Sequence, residues 1–74
     1  MFVTVKSLTA IIDINISYVQ EAYLNRDKFE QQVFDDYIIT MRTSLNNKLQ
    51  KLQEISSNKK LIAKYVDKVN KTFQ

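Results

Sequence analysis

The 74-residue chain contains no glycine and no proline. Tight β-hairpin turns need residues that accept a positive φ, chiefly glycine, with Asn and Asp as substitutes. A multi-stranded β domain without glycine or proline would be unusual, whereas long helices joined by short polar turns need neither residue. The two absences therefore favour an all-α fold.

Cysteine and histidine are also absent, which restricts the chemistry of the chain. Disulfides are excluded, and a structural zinc ion would have to be held by carboxylates alone. General acid–base and nucleophilic catalysis draw chiefly on the two missing residues. Ser57 and Lys60 form the remaining candidate pair, but their place at a polar turn is more typical of a helix cap. We expect no catalytic residue, no metal, no cofactor and no small-molecule substrate, and hence no enzyme.

No apolar run approaches the 18 to 20 residues of a membrane span. The segment Met1–Lys6 lacks the basic-then-apolar layout of a signal peptide. We therefore expect a cytoplasmic protein without a membrane partner.

The length predicts a single all-helical domain over residues 1–74. A domain of this size buries only about 60% of the surface that its unfolded chain exposes. Such small scaffolds usually need disulfides, a metal or oligomerisation for stability. With the first two set aside, we predict a homodimer or a permanent protein partner.

Apolar residues recur at helical spacing in three segments, at about 7–24, 27–55 and 58–73. This pattern predicts a three-helix bundle or a long helical hairpin. The expected apolar stripes are Leu8, Ile11, Ile12, Ile16, Val19, Ala22 and Tyr23 in the first helix, Val33, Phe34, Tyr37, Ile38, Met41, Leu45, Leu49, Leu52 and Ile55 in the second, and Leu61, Ile62, Tyr65, Val66, Val69 and Phe73 in the third. Asp13 is expected on the polar side of the first helix.

Two alternatives remain open at this point. Residues 12–18 alternate like a half-buried strand, although the only other alternating run is the short segment 2–5. Asp27 and Glu30 resemble a capping box at the start of the second helix. However, the first two stripes differ in phase by only about 50°, so the first two helices can also be interpreted as one continuous rod.

Ile14 and Tyr18 widen the apolar arc of the first helix to about 200°, more than one buried face requires. A helix with so wide an arc tends to contact two neighbours. We therefore predict a protein interface at Ile11, Ile14, Tyr18 and Ala22.

Charge is unevenly distributed along the chain, whose net charge is +3. Residues 1–37 carry six acidic and three basic side chains, whereas residues 38–74 carry two acidic and eight basic ones. The third helix has a row of lysines that suits phosphate contacts, formed by Lys59, Lys60, Lys64, Lys68 and Lys71.

The leading hypothesis is a small protein-binding regulator or adaptor of the inhibitor, antitoxin or chaperone type. It would act through helix–helix packing, as a homodimer that also binds another protein. The alternative is a nucleic-acid-binding regulator that uses the lysine-rich third helix.

Overall fold

A computed structural model describes residues 3–73 and contains the helices α1 (Val5–Leu24), α2 (Gln31–Ile55) and α3 (Lys59–Thr72). A short 3₁₀ turn, Arg26–Lys28, lies between α1 and α2. Since residues 3–73 contain no strand, the three-helix bundle is confirmed and the strand alternative for residues 12–18 is wrong. Met1, Phe2 and Gln74 lie outside the described residues, so the predicted domain and the alternating run at 2–5 are described only in part.

The predicted ends of the first two helices, at residues 24 and 55, are confirmed. α1 begins two residues earlier than predicted because Thr4 and Ser7 form a capping box. In this box the backbone N–H of Ser7 donates to Thr4 Oγ1 at 3.0 Å, and that of Thr4 donates to Ser7 Oγ at 3.1 Å. α3 is capped by Asn58, whose Oδ1 accepts from the backbone N–H of Leu61 at 3.1 Å.

The predicted start of the second helix at Asp27 is wrong, because α2 begins at Gln31. Asp27 lies in the 3₁₀ turn, and the N-cap residue Glu30 makes no side-chain capping bond. α1 ends where the Asn25 side-chain amide donates to the carbonyl of Glu21 at 2.9 Å. The backbone N–H of Asn25 donates to the same carbonyl at 3.1 Å, and the extended backbone at Glu30 then separates the two helices. The continuous-rod alternative is therefore wrong as well.

One hydrophobic core joins the three helices. Its buried members are Leu8, Ile12, Ile16, Val19, Leu45, Leu49, Leu52, Tyr65 and Val69. The three from α2 all lie in the second half of that helix. The 14 residues of α3 span about 21 Å, whereas the 25 residues of α2 span about 37 Å. α3 therefore covers only the second half of α2, which leaves the first half packed against α1 alone.

The bundle is extended for its size. Its Cα radius of gyration is 13.2 Å, compared with about 11.3 Å expected for a compact domain of this length. Its accessible surface is 5532 Å², compared with about 4,700 Å² expected for a monomeric protein of 8.7 kDa. None of the helices within residues 3–73 is both long and apolar enough to cross a membrane.

Candidate protein-binding face

Five large apolar side chains of α1 and α2 point into solvent along one side of the α1–α2 pair. They are Ile11, Ile14 and Tyr18 of α1, which are 43%, 50% and 56% exposed, and Val33 and Tyr37 of α2, which are 52% and 38% exposed. We call this set the open face. Contiguous apolar surface of this kind is typical of sites where another molecule binds.

The open face lies on the side of the α1–α2 pair that is turned away from α3. Asp13 of α1 contacts Lys68 of α3, and Arg42 of α2 lies over the Phe73 ring beside the end of α3 at 4.9 Å. At about 100° per residue, Ile11 and Tyr18 point roughly 140–160° away from Asp13, and Tyr37 points roughly 140° away from Arg42. α3 therefore cannot cover the open face.

A notch of about 530 Å³ indents one end of the open face, between the end of α1, the connecting turn and the start of α2. Its lining is mostly apolar and comprises Tyr18, Glu21, Ala22, Asn25, Lys28, Phe29, Val33, Phe34 and Tyr37. The Tyr23 and Phe34 rings meet edge to face beside it, with centroids 5.4 Å apart. A notch of this size can receive an aromatic side chain.

The opposite end of the open face is a shallower groove of about 690 Å³ whose lining is also mostly apolar. Its lining includes Leu8 and Ile11 of α1, and Ser44, Lys48 and Lys51 of α2. The Lys48 side chain donates to Ser44 Oγ, which holds it along the helix surface. The open face therefore changes along its length from a notch lined by aromatic rings and Glu21 to a groove lined by aliphatic side chains and two lysines.

The predicted interface residues fall into two groups. Ile14 and Tyr18 are exposed on the open face, as an interface requires, whereas Ala22 is buried and lines the notch. Ile11 was also expected in the core stripe of α1, and its exposure corrects that assignment.

Val33 and Tyr37 were expected in the core, and both are exposed instead. The physical reason is that both lie on the side of α2 that is turned away from α3, where no helix within residues 3–73 covers them. The spacing of apolar residues in the sequence could not show that Val33 and Tyr37 are exposed, because they lie on the same apolar stripe of α2 as the core residues.

The lysines of α3 do not form one uniform row. Lys68 Nζ donates to Asp13 Oδ1 at 2.8 Å, and Lys71 Nζ lies 3.0 Å from Asp67 Oδ2. The other three lysines, Lys59, Lys60 and Lys64, are exposed and form no ion pair within residues 3–73. The predicted nucleic-acid contact remains a prediction, with two of its five lysines already paired to carboxylates.

Asp13 is a polar contact that the sequence pattern missed, since it was expected on the solvent side of α1. Its Oδ2 accepts from the Tyr65 hydroxyl at 2.9 Å, while Lys68 binds its other oxygen. Partial burial would raise the pKa of the Asp13 carboxyl. The hydrogen bonds from Lys68 and Tyr65, together with the nearby lysine charges, outweigh that effect and hold the pKa below its usual value.

Asp13, Tyr65 and Lys68 form one hydrogen-bonded cluster, which we call the Asp13 cluster, and it also shifts the pKa of its two donors. Burial, followed by the hydrogen bond to the Asp13 carboxylate, raises the pKa of Tyr65. The hydrogen bond to Asp13 also raises the pKa of Lys68. The cluster therefore fixes α3 against α1, on the side away from the open face.

Within residues 3–73 no three acidic side chains come together as a metal site would require. The chain matches no protein-family model, and neither a curated protein nor a solved structure shows significant similarity to it.

Proposed function

We propose that this chain is a small, non-enzymatic, protein-binding regulator or adaptor of the inhibitor, antitoxin or chaperone type, which acts in the cytoplasm as a homodimer. The observation that supports this function best is the open face. Five half-exposed apolar side chains form one surface on two adjacent helices, and the third helix is fixed on the other side by the Asp13 cluster.

The exposed apolar side chains of α1 and of α2 form two adjacent ridges. An amphipathic helix of another chain can pack its apolar side into the groove between such ridges. Tyr18 and Tyr37 border the notch, and tyrosine is enriched at the centres of protein interfaces because it combines a large apolar ring with a polar tip. The expected mechanism is therefore helix-to-helix packing on the open face, with a partner side chain in the notch.

The alternative function, nucleic-acid binding through α3, is supported by the three exposed lysines 59, 60 and 64. Lysine contacts to phosphate give an affinity that falls steeply with salt. The open face favours the first function because an apolar surface on α1 and α2 has no role in phosphate contact.

The test is photo-crosslinking from the open face. Because the chain has no cysteine, a Thr40→Cys variant can carry a single photoreactive label beside the open face, for use in a lysate of the source cells. We expect crosslinks to protein, and at least about a tenfold loss when Ile14 and Tyr18 are both changed to Gln, since both side chains would leave the contact.

The control is Leu24→Gln, which changes an 83% exposed apolar residue of the same helix outside the open face. It should leave the crosslinks unchanged, and circular dichroism should show the same helicity in all variants. Equal crosslinking in the Ile14/Tyr18 variant would contradict the proposed function. Crosslinks that nuclease removes would favour the alternative.

A further inference from the structure

We infer that a second copy of this chain occupies the open face, packed face to face and antiparallel about a two-fold axis that passes near Ile14. This inference rests on the proposed function and names the partner that the open face receives. It follows from the charges along the open face, from the order of the helices and from the area available.

The two ends of the open face carry opposite charge. Glu21 lines the notch, and Asp36 lies one helical turn before Thr40 at the edge of the same face. Lys48 and Lys51 line the groove at the other end. We call these pairs the acidic end and the basic end.

Each end also has a neighbour of opposite charge. Lys28 borders the notch, and Lys51 lies 3.7 Å from Glu54 in an exposed pair. An exposed pair at that distance contributes little and leaves the lysine available to a stronger partner. With these neighbours included, Glu21, Asp36 and Lys28 give a net charge of −1 at one end, and Lys48, Lys51 and Glu54 give +1 at the other, so the two ends still differ in charge.

Two identical faces can be stacked with a two-fold symmetry in only two ways. If the axis runs along the helices, like ends meet, so that Glu21 approaches Asp36 of the second copy and the lysines meet one another. If the axis runs across the helices, each acidic end meets a basic end. Like charges opposite each other destabilise an interface, so the charges select the antiparallel arrangement.

The position of the axis follows from the pairing of α1 with α2. Tyr18 of α1 and Tyr37 of α2 line the same notch, and Ile11 of α1 and Ser44 of α2 line the same groove. In both pairs the two residue numbers add up to 55. A residue of α1 therefore lies at about the same height along the bundle as the residue of α2 whose number is 55 minus its own. An axis at Ile14 places Ile14 against Ile14 of the second copy and Tyr18 against its Ile11. It also places Asp36 within about 3 Å, measured along the helix, of the level of Lys48 in the second copy.

The area of the open face suits such a dimer. α1 is about 30 Å long, and two adjacent helices are about 20 Å wide, so each copy contributes about 600 Å². The total of about 1,200 Å² reaches the lower limit of stable protein interfaces. It also accounts for the accessible surface of the single chain, which exceeds the value expected for a compact monomer by roughly 800 Å².

The orientation is tested with single cysteines under mild oxidation of the purified chain, which has no cysteine of its own. Ile14→Cys should form a disulfide-linked dimer, because a residue on the axis lies within disulfide reach of its copy. The control, Leu24→Cys, lies outside the open face and should stay uncrosslinked. The like-ends arrangement predicts that an Ile14→Cys and Thr40→Cys mixture crosslinks while Ile14→Cys alone does not, and that result would overturn the inference.

Charge reversal tests the contacts at the two ends. Glu21→Lys combined with Asp36→Lys should raise the dimer dissociation constant at least about tenfold, and Lys48→Glu combined with Lys51→Glu should do the same. An equimolar mixture of the two variants should recover the dimer by analytical ultracentrifugation, because opposite charges meet again at both ends. Two monomeric variants that remain monomeric when mixed would contradict the charge pairing.

The second copy on the open face and the protein-binding function can be contradicted by different results. A purified chain that stays monomeric and uncrosslinked at Ile14, while Thr40 in the lysate crosslinks to a different protein, overturns the second copy and leaves the protein-binding function standing. A chain whose open face crosslinks to no protein in either setting overturns both.

Discussion

Asp13 is the residue that fixes the relative position of α1 and α3. It accepts hydrogen bonds from Tyr65 and Lys68, which lie more than fifty residues later in the chain. Lys68 Nζ also lies 5.0 Å from the centroid of the Tyr65 ring, so cation and ring share one site. This contact adds to the shared apolar core in holding α3 on one side of α1, which leaves the other side to the open face.

The contribution of Asp13 to stability should depend on pH. Its folded-state pKa is lowered, so its stabilisation is complete above the unfolded pKa of about 3.9 and is lost as the pH falls through the folded value. We expect Asp13→Asn to lower the free energy of unfolding by about 0.5–1 kcal/mol near pH 6.5, since the Lys68 pair is half-exposed. The difference from the unchanged chain should shrink near pH 2.5, as measured by urea unfolding.

Asp67→Asn is the matched control, because Asp67 pairs with Lys71 one turn away on the same exposed helix surface. Pairs of this kind contribute about 0.3–0.5 kcal/mol. A pH-independent deficit in Asp13→Asn, or an equal effect in the control, would contradict the assigned role of the Asp13 carboxylate.

Asp13 could not be predicted from the apolar pattern. That pattern describes one helix at a time, and Asp13 lies at the edge of its polar side, where only the position of α3 decides between solvent and contact. Ile14 and Tyr18 were easier to predict as surface residues, because an apolar arc wider than one neighbour can cover shows in a single helix.

At the scale of the elements, the connection between α1 and α2 shows where sequence patterns succeed and fail. The end of α1 was predicted correctly, since Asn25 is a residue that competes with helical bonds. The start of α2 was placed four residues early, because Asp27 and Glu30 have the spacing of a capping box. Asp27 lies within the 3₁₀ turn instead, and α2 begins without a side-chain cap.

This assignment predicts that α2 can be stabilised by a better residue at its N-cap position. Glu30→Ser should stabilise the chain by about 0.5–1 kcal/mol, because a serine hydroxyl can accept from the free backbone N–H groups of the first turn. Asp27→Ala should change the free energy of unfolding little, since Asp27 makes no helix cap. Thermal unfolding measures both. The reverse pattern, a loss in Asp27→Ala and no gain in Glu30→Ser, would place the start of α2 at residue 28.

At the scale of the whole molecule, the number and type of helices follow from the sequence, but the open face does not. The three stripes predict which residues are apolar, and most of their members do contact the core. Val33 and Tyr37 lie outside it because they are on the side of α2 turned away from α3, which no helix within residues 3–73 covers. Coverage of this kind depends on how the helices align in space.

Since the buried leucines of α2 all lie in its second half, the two halves of that helix should open at different rates. Local unfolding of residues 31–41 exposes only partly buried apolar side chains, whereas unfolding of residues 45–52 exposes the three buried leucines of the core. We expect backbone amides of 31–41 to exchange with deuterium at least about tenfold faster than those of 45–52 in dilute protein. At concentrations where two copies pack together, the faster half should become protected, so exchange of these amides reports assembly directly. Uniform exchange along α2 at every concentration would contradict this expectation.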